Sequence, residues 1–181
     1  LVLSYNSAFI SLSQKLCYAL DIKKTDDAAT TAQKFFSAMQ HEQYLPIAHV
    51  FKQSIHHYCL REWLALANPE FAKRVHLRTL PPPYMVEAIS NQLIDGFCVG
   101  EPWNTQAEIQ GYSQIIATGS DIIPRVADKV LAVTQEWAIS NPNTLAALVQ
   151  AIQKAQVELK QMQDLEPVWQ VLVDYNIIRF A

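Results

Sequence analysis

The sequence predicts a mixed α/β domain that is followed by helices. Up to about residue 133, short apolar segments rich in β-branched residues alternate with longer segments of helical periodicity. Half of the 181 residues are hydrophobic and 17% are charged, so a sizeable packed core is expected. After Val133 only helical periodicity remains. This order of elements favours a largely parallel sheet with helices on both faces.

Six short segments are predicted to be strands, because each is apolar and bounded by polar or turn residues. The segment Gly96-Phe97-Cys98-Val99-Gly100 is almost entirely apolar, as expected for a strand at the centre of a sheet. The six predicted strands are residues 1–5, 46–51, 75–80, 96–100, 113–118 and 130–133.

Eight segments with apolar residues at helical spacing are predicted to be helices. Asn141-Pro142-Asn143 ends one of them and starts the next, and Pro167 lies near the first turn of the last. The eight predicted helices are residues 8–20, 26–40, 54–68, 84–91, 102–111, 136–140, 143–163 and 165–175.

The change of character near Lys129 divides the chain into two predicted parts. Residues 1–128 are expected to form an α/β lobe that binds a ligand, and residues 129–181 to carry the crossing into a neighbouring lobe and its helical segment. The chain opens at Leu1, without an initiating Met, in a predicted strand. We therefore interpret it as an internal piece of a longer protein.

The charge and cysteine content exclude several classes of function. Fourteen basic and 17 acidic residues give a net charge of −3 without a basic stripe, which argues against a nucleic-acid partner. A small anion remains compatible, since local dipoles can bind it. The three cysteines lack CxxC spacing and are interpreted as buried free thiols. No apolar run reaches the length of a membrane span.

A strand-to-helix turn carries the first candidate site residues. A strand is predicted to end at Phe51 and a helix to begin at Ser54, which places Gln53 and Ser54 at a helix N-terminus. The unpaired N–H groups and positive dipole there can hold an anion, at the strand end where open α/β sheets bind ligands. Alternatively, Ser54 is simply the N-cap of its own helix.

His56 and Cys59 lie one helical turn further on, and their spacing would allow a pair of metal ligands. The adjacent His57 points about 100° away from His56 and cannot share that position. No second pair supports a metal site, and no orienting residue supports a cysteine–histidine catalytic pair. A core or site-lining role for His56 is therefore favoured.

Two further segments follow strands. Residues 81–83 are three prolines, which suit a rigid connection into a helix and could also form a cleft wall. Glu101 and Trp103 follow the central predicted strand, with Pro102 at a helix start. Glu101 has no identifiable partner for catalysis, so a structural or ligand-facing role is expected.

These segments, in this order, resemble the nitrate- and bicarbonate-binding proteins of ABC uptake systems. The resemblance rests on F-x-x-x-x-H-x-x-x-x-R-x-W-L-A at residues 51–65, P-P-P-x-M-V at 81–86 and D-G-F-C-V-G-E-P-W-N at 95–104. It continues through D-K-V-L-A-V at 128–133 and the early segment N-S-A-F-I-S-L at 6–12, so it covers nearly the whole chain.

The resemblance implies a type II periplasmic binding-protein fold, in which an anion is held between two lobes that close by a hinge motion. It places ligand contacts in residues 6–9, in residues 53–56 and at Lys129. Two departures concern the ligand: Gln53-Ser54 stands where the family often has paired glycines, and Ala8 stands where a polar contact is expected. The complete set of candidate ligand-binding residues is Asn6, Ser7, Gln53, Ser54, His56, Glu101, Trp103 and Lys129.

Three functions are compatible with this resemblance. The first is a solute-binding component that delivers a small oxyanion, nitrate above nitrite or bicarbonate, to an ABC permease without chemistry or a cofactor. It would act in the periplasm or tethered outside the inner membrane. The second is a cytoplasmic nitrate sensor of the same fold, whose partner is a regulatory antiterminator. The third is an enzyme of the thiamine-precursor synthase branch, for which no cofactor or cysteine-rich motif is found.

Overall fold

The computed structural model describes residues 1–40 and 44–177, and the chain forms two compact units. The larger unit is Ser4–Lys129, and the smaller one joins Leu1–Leu3 to Val130–Ala181. The strands are β1 (Val2–Tyr5), β2 (Ala8–Ser13), β3 (Ile47–His49), β4 (Leu77–Thr79), β5 (Gly96–Gly100), β6 (Ser113–Thr118) and β7 (Ala127–Val130). The helices are α1 (Gln14–Ala19), α2 (Ala28–Gln40), α3 (Ile55–Ala67), α4 (Pro69–Arg74), α5 (Met85–Ser90), α6 (Trp103–Ile109), α7 (Gly119–Ile122), α8 (Gln135–Ser140), α9 (Pro142–Gln161) and α10 (Glu166–Asp174).

A five-stranded sheet of order β4-β3-β5-β2-β6 forms the centre of the larger unit. β3 is parallel to both β4 and β5, whereas β2 is antiparallel to its neighbours β5 and β6. The predicted, largely parallel α/β sheet is therefore confirmed, with one reversed strand at β2. β1 pairs with β7 in a separate two-stranded sheet.

The prediction of a helix over residues 8–20 is wrong in its first half, because Ala8–Ser13 is β2. The run Ala-Phe-Ile-Ser-Leu-Ser is short and apolar, and periodicity alone does not separate a buried strand from a buried helix. Within this strand the polar side chain of Ser11 is fully buried, and its hydroxyl is satisfied by donating to Oδ1 of Asn104 at 2.8 Å. The helix begins only after Ser13, whose hydroxyl caps it by accepting from the N–H of Leu16.

The larger unit buries apolar side chains on both faces of its sheet, because side chains alternate along each strand. On one face Cys98 of β5 joins residues of α2 and α3, including Phe35 and Trp63, whose ring centroids lie 5.3 Å apart. On the other face Phe97 and Val99 pack against α5 and α6. The covering helices position the loops at the strand ends.

Several boundaries differ from the predicted ones. The last strand lies at Ala127–Val130 instead of residues 130–133, and two short helices, α4 and α7, were not predicted. Asn68 caps α4 by accepting from the N–H of Phe71 at 2.9 Å, so Asn68-Pro69 was a start signal that the longer preceding helix obscured. Pro82–Tyr84 forms a single 3₁₀ turn into α5, as expected for a rigid proline connection.

The smaller unit is helical after Thr134, as predicted, with α8, α9 and α10 in succession. Its described side chains are half-buried or exposed, and several large apolar ones, among them Trp169 and Val157, lie on its surface. Within the described residues, no helix has the length and apolar character needed to cross a lipid bilayer.

Candidate functional site

Four elements of the larger unit meet around Gly100, the last residue of β5. A Cβ atom placed on Gly100 would lie 3.7 Å from the backbone oxygen of Ser7, 3.8 Å from Nε2 of His56 and 4.0 Å from Nζ of Lys129. Glycine keeps this space open, because any side chain at position 100 would project toward these groups. Three of the sequence-predicted residues are thus brought together at the carboxyl end of a strand, where α/β folds bind ligands.

The carboxylate of Asp128 organises two of these groups. Its side chain is 1% exposed, and Oδ1 accepts a hydrogen bond from the ammonium of Lys129 at 2.8 Å. Its other oxygen accepts a hydrogen bond from the hydroxyl of Ser7. The side chain of Lys129 is 54% exposed, so its charged end reaches from the solvent side to a buried carboxylate. Asp128 therefore fixes the ammonium in place and offsets its charge.

His56 lies in the first turn of α3 and is buried. Neither of its ring nitrogens has a hydrogen-bond partner within residues 1–40 and 44–177, although buried polar groups are nearly always paired. Burial lowers the pKa of His56; the carboxylate of Asp128 opposes this shift, and the ammonium of Lys129 adds to it. The ring is therefore neutral near pH 7 and offers one N–H donor and one lone pair.

Ser54 serves as the N-cap of α3, which was the simpler of its two interpretations. Its hydroxyl accepts from the N–H of His57 at 3.2 Å and donates to the carbonyl of Phe51 at 2.6 Å. Both bonds are local, so they hold the turn in the shape that directs His56 toward Gly100. Ser54 contributes to the site by positioning the helix start.

The remaining predicted residues lie outside this cluster or are engaged elsewhere. Asn6, at φ 51°, donates to Ser120 and accepts from the N–H of Val126, so its amide ties two loops together. Gln53 is exposed in the turn before α3. Glu101 is exposed and accepts from the N–H of Thr105 at 3.1 Å, in the first turn of α6. Trp103 packs against the core cluster beneath α5 and α6.

A metal centre finds no support in the described residues, where no three histidine, cysteine or acidic side chains are grouped to hold an ion. Cys59, one turn after His56, and Cys98 are buried and carry free thiols that form no disulfide. A hydrogen bond from Cys98 lowers the pKa of the Cys59 thiol, whereas burial raises that of Cys98 well above its ordinary value. The two thiols thus face each other in the core beneath the site.

Two histidines, His49 and His57, connect β3 to α3. The Nδ1 atoms of His49 and His57 lie 2.9 Å apart, and Nε2 of His49 lies 3.1 Å from Oγ1 of Thr79. Burial, followed by the charges of His57 and Arg61, lowers the pKa of His49 to about 4. One imidazole must donate and the other accept, so the pair joins the end of β3 to α3 only while at least one ring is neutral.

Two residues of the cluster were missed from the sequence. Gly100 was recognised only as the end of a central strand, and Asp128 only as part of a matching segment. A glycine that ends a buried strand was a usable signal, since the backbone there needs close approach. Nothing in the local sequence indicates that Asp128 is buried, because its other partner besides the adjacent Lys129 is Ser7, which lies 121 positions earlier in the chain.

Comparison with known proteins gives the family. Residues 1–173 match the model of the NMT1-like family. The chain is 32% identical to a nitrate/nitrite binding protein, NrtA, of Nostoc sp. over 99% of its length and 40% of that relative. It is 37% identical to a bicarbonate transport ATP-binding protein, CmpC, of Synechocystis sp. over 86% of its length and 22% of that relative.

A solved structure supports the same relationship. The crystal structure of the periplasmic nitrate-binding protein NrtA from Synechocystis superposes with a TM-score of 0.75 at 27% identity, over 93% of this chain and 42% of that one. The chain therefore spans 22% to 42% of the length of these three relatives. With its matched fold and sequence, the chain belongs to the NMT1-like family, as a relative of the nitrate- and bicarbonate-binding proteins with the type II periplasmic binding-protein fold.

Proposed function

We propose that this chain carries the anion-binding lobe of a solute-binding protein that serves an ABC uptake system, with nitrate as the leading ligand and no chemical transformation. The observation that supports this most is the convergence of His56 and Lys129 on the open space beside Gly100. Two hydrogen-bond donors, an imidazole N–H and an ammonium, face this space, which we call the gap, and they suit a compact oxyanion. Nitrite and bicarbonate share this chemistry and are the alternative ligands.

The relatives point in the same direction. Nitrate or bicarbonate appears in the names of both the binding-protein and the ATP-binding relatives, and the ATP-binding relatives are named for the transport or import of these anions. The solved nitrate-binding protein is described as periplasmic, which favours a location outside the inner membrane for this chain. An enzyme of the thiamine-precursor synthase type has no such support among these relatives.

A second candidate is an anion-sensing domain, favoured by the 37% identity to a transport ATP-binding protein. The 181 residues contain no G-x-x-x-x-G-K-[ST] pattern, so they would supply the anion-binding part of such a protein and not its nucleotide site. ATP hydrolysis by the natural full-length protein would favour this candidate over a free solute-binding protein. A cytoplasmic nitrate sensor with an antiterminator partner is a separate alternative, which ATP hydrolysis would not support.

The test of the proposed site is titration calorimetry of the full-length protein with nitrate. Replacing Lys129 by Met removes a charge-assisted hydrogen bond, which contributes about 1.5–3 kcal/mol. We expect nitrate affinity to fall roughly ten- to a hundred-fold. Lys154, 79% exposed and 3.8 Å from Glu158 on a helix surface, provides the matched control K154M, which should bind as the parent does. Melting temperatures verify that both variants are folded.

Equal nitrate affinity in the parent, K129M and K154M would remove Lys129 from the site. If none of nitrate, nitrite and bicarbonate binds the parent, the proposal of an oxyanion lobe is wrong, and only the family relationship stands.

A further inference from the structure

The charged side chains at the site balance one another before any ligand binds. Lys129 is the cation next to Gly100, yet it is already bonded to the carboxylate of Asp128 at 2.8 Å. With His56 neutral, these three side chains carry no net charge. A monovalent anion that entered the gap would give the cluster a net charge of −1, and burying an unbalanced charge costs free energy.

His56 is the group able to correct this balance. It is 9% exposed, its two nitrogens have no partner within the described residues, and Nε2 points at the space beside Gly100. A neutral imidazole can donate one hydrogen bond to an anion beside Nε2, whereas an imidazolium donates the same bond and also carries the positive charge that balances the anion.

The titratable surroundings of His56 are few. Asp128 and Lys129 of β7 act on it directly, with opposite signs. From β3, His49 is near enough for mutual repulsion. Cys59 on the same helix and Cys98 on β5 border Asp128. The state of His56 therefore depends chiefly on burial and on any charge that arrives beside Nε2.

We propose that His56, and not Lys129, supplies the net positive charge for a monovalent oxyanion, by taking up one proton as the anion binds. This rests on the proposed function. Lys129 then acts as a fixed donor whose charge Asp128 already balances, while His56 passes from neutral imidazole to imidazolium. The proton comes from solvent, so one anion and one proton enter the site together and the net charge of the cluster is unchanged.

The direction of the pH dependence follows from linkage. In the free protein burial holds the pKa of His56 below its ordinary value, and a bound anion raises it. Between the free and bound pKa values, affinity falls by about tenfold for each unit that the pH rises. Outside that window affinity is constant. Nitrate is a suitable probe because its own charge does not change in this range, so we expect it to bind more tightly at pH 6 than at pH 8.

The experiment is titration of the full-length protein with nitrate at fixed pH, in buffers of different ionisation enthalpy, which counts the protons taken up. We expect the parent to take up close to one proton per nitrate inside the window. H56Q, whose amide cannot titrate, should bind more weakly with no proton uptake and a flat pH profile. His76 is exposed, so H76Q serves as the matched control and should keep the parental uptake.

A measurement on the parent protein tests the same inference if H56Q fails to fold. The ¹⁵N resonances of the His56 ring in the parent should change from a neutral to an imidazolium pattern when nitrate is added. Nitrate binding without proton uptake, or with a ring that stays neutral, overturns this inference and leaves the proposed function intact. Failure of nitrate, nitrite and bicarbonate to bind overturns both.

Discussion

Asp128 and Lys129, neighbours in β7, place a buried carboxylate and a half-exposed ammonium 2.8 Å apart. The carboxylate also accepts from the hydroxyl of Ser7, so it joins β7 to the segment before β2. A buried charge that loses its partner is expensive, whereas a buried charge with two charge-assisted bonds is tolerated. The pair therefore contributes to stability and to ligand binding at once, and the two contributions are separable.

Replacing Asp128 by Asn should lower the free energy of unfolding by about 2–3 kcal/mol, because both charge-assisted bonds weaken. Denaturant unfolding followed by tryptophan fluorescence measures this. Glu62 is an exposed carboxylate of the same unit, and E62Q should change stability by less than about 0.5 kcal/mol. Equal losses in the two variants would contradict a special role for Asp128.

Substitution by Ala should weaken nitrate binding at Gly100 and lower stability at Gly111. At Gly100 a Cβ meets its neighbours at 3.7–4.0 Å, so G100A should fold normally but obstruct the gap and weaken nitrate binding at least about tenfold. At Gly111 an added Cβ would meet no atom within 4 Å, but φ is +77°, which strains any residue other than glycine. G111A should therefore cost about 1 kcal/mol of stability and leave nitrate affinity unchanged. Calorimetric titration and thermal melts distinguish the two. Unaltered binding by G100A would move the ligand elsewhere.

Asn104 should be among the most sensitive polar positions of the core. It is fully buried, accepts from Ser11 at 2.8 Å and donates to the carbonyl of Val99 at 2.8 Å. N104L leaves both of these groups unsatisfied, which should cost about 2–4 kcal/mol. S11A should cost less, about 1 kcal/mol. The exposed Asn91 gives the control N91L, and urea unfolding of the three variants gives the ranking. A ranking with S11A above N104L would be inconsistent with this network.

His49 should make the protein less stable in mild acid. Its pKa is about 4 in the folded protein, below the ordinary value of 6.5, so the unfolded chain binds the proton more readily between these values. The contribution of His49 to the free energy of unfolding is therefore fully present above pH 6.5, and up to about 3 kcal/mol of it is lost as the pH drops toward 4. H49Q should flatten this part of the stability–pH profile, whereas H76Q, which removes only the smallest contribution to the lowered pKa of His49, should change it little. An identical acid slope in H49Q would assign the loss to other groups.

The sequence was most informative where the pattern is local. The strand at residues 96–100 and the cap at Ser54 follow from residue types that act within a few positions. The segment at residues 8–20 misled, because β2 is a strand only by virtue of the two strands that flank it in space. The apolar run by itself fits either structure.

The site shows the same division between local and distant information. His56 and Lys129 were predicted through the family resemblance, and the structure places both beside Gly100, while their role in binding stays a prediction. The burial of Asp128 could not be predicted, because it depends on how β7 meets a segment more than a hundred residues earlier in the chain. Glu101 is conspicuous in the sequence, yet its carboxylate bonds the N–H of Thr105, which the local pattern does not reveal.

The reversed strand β2 affects how the chain can fold during its synthesis. Its pairings join Ala8 to Gly100 and Phe9 to Thr118, so the ribosome must deliver both partners before the strand can be enclosed. Until then Ile10 and Leu12, both fully buried in the finished fold, remain uncovered on a nascent chain. Long-range pairing of this kind is slow and exposes the chain to aggregation. The segment Ala8–Ser13 should therefore remain unpaired until Thr118 has been made, and truncation before Thr118 should lower the yield of soluble protein.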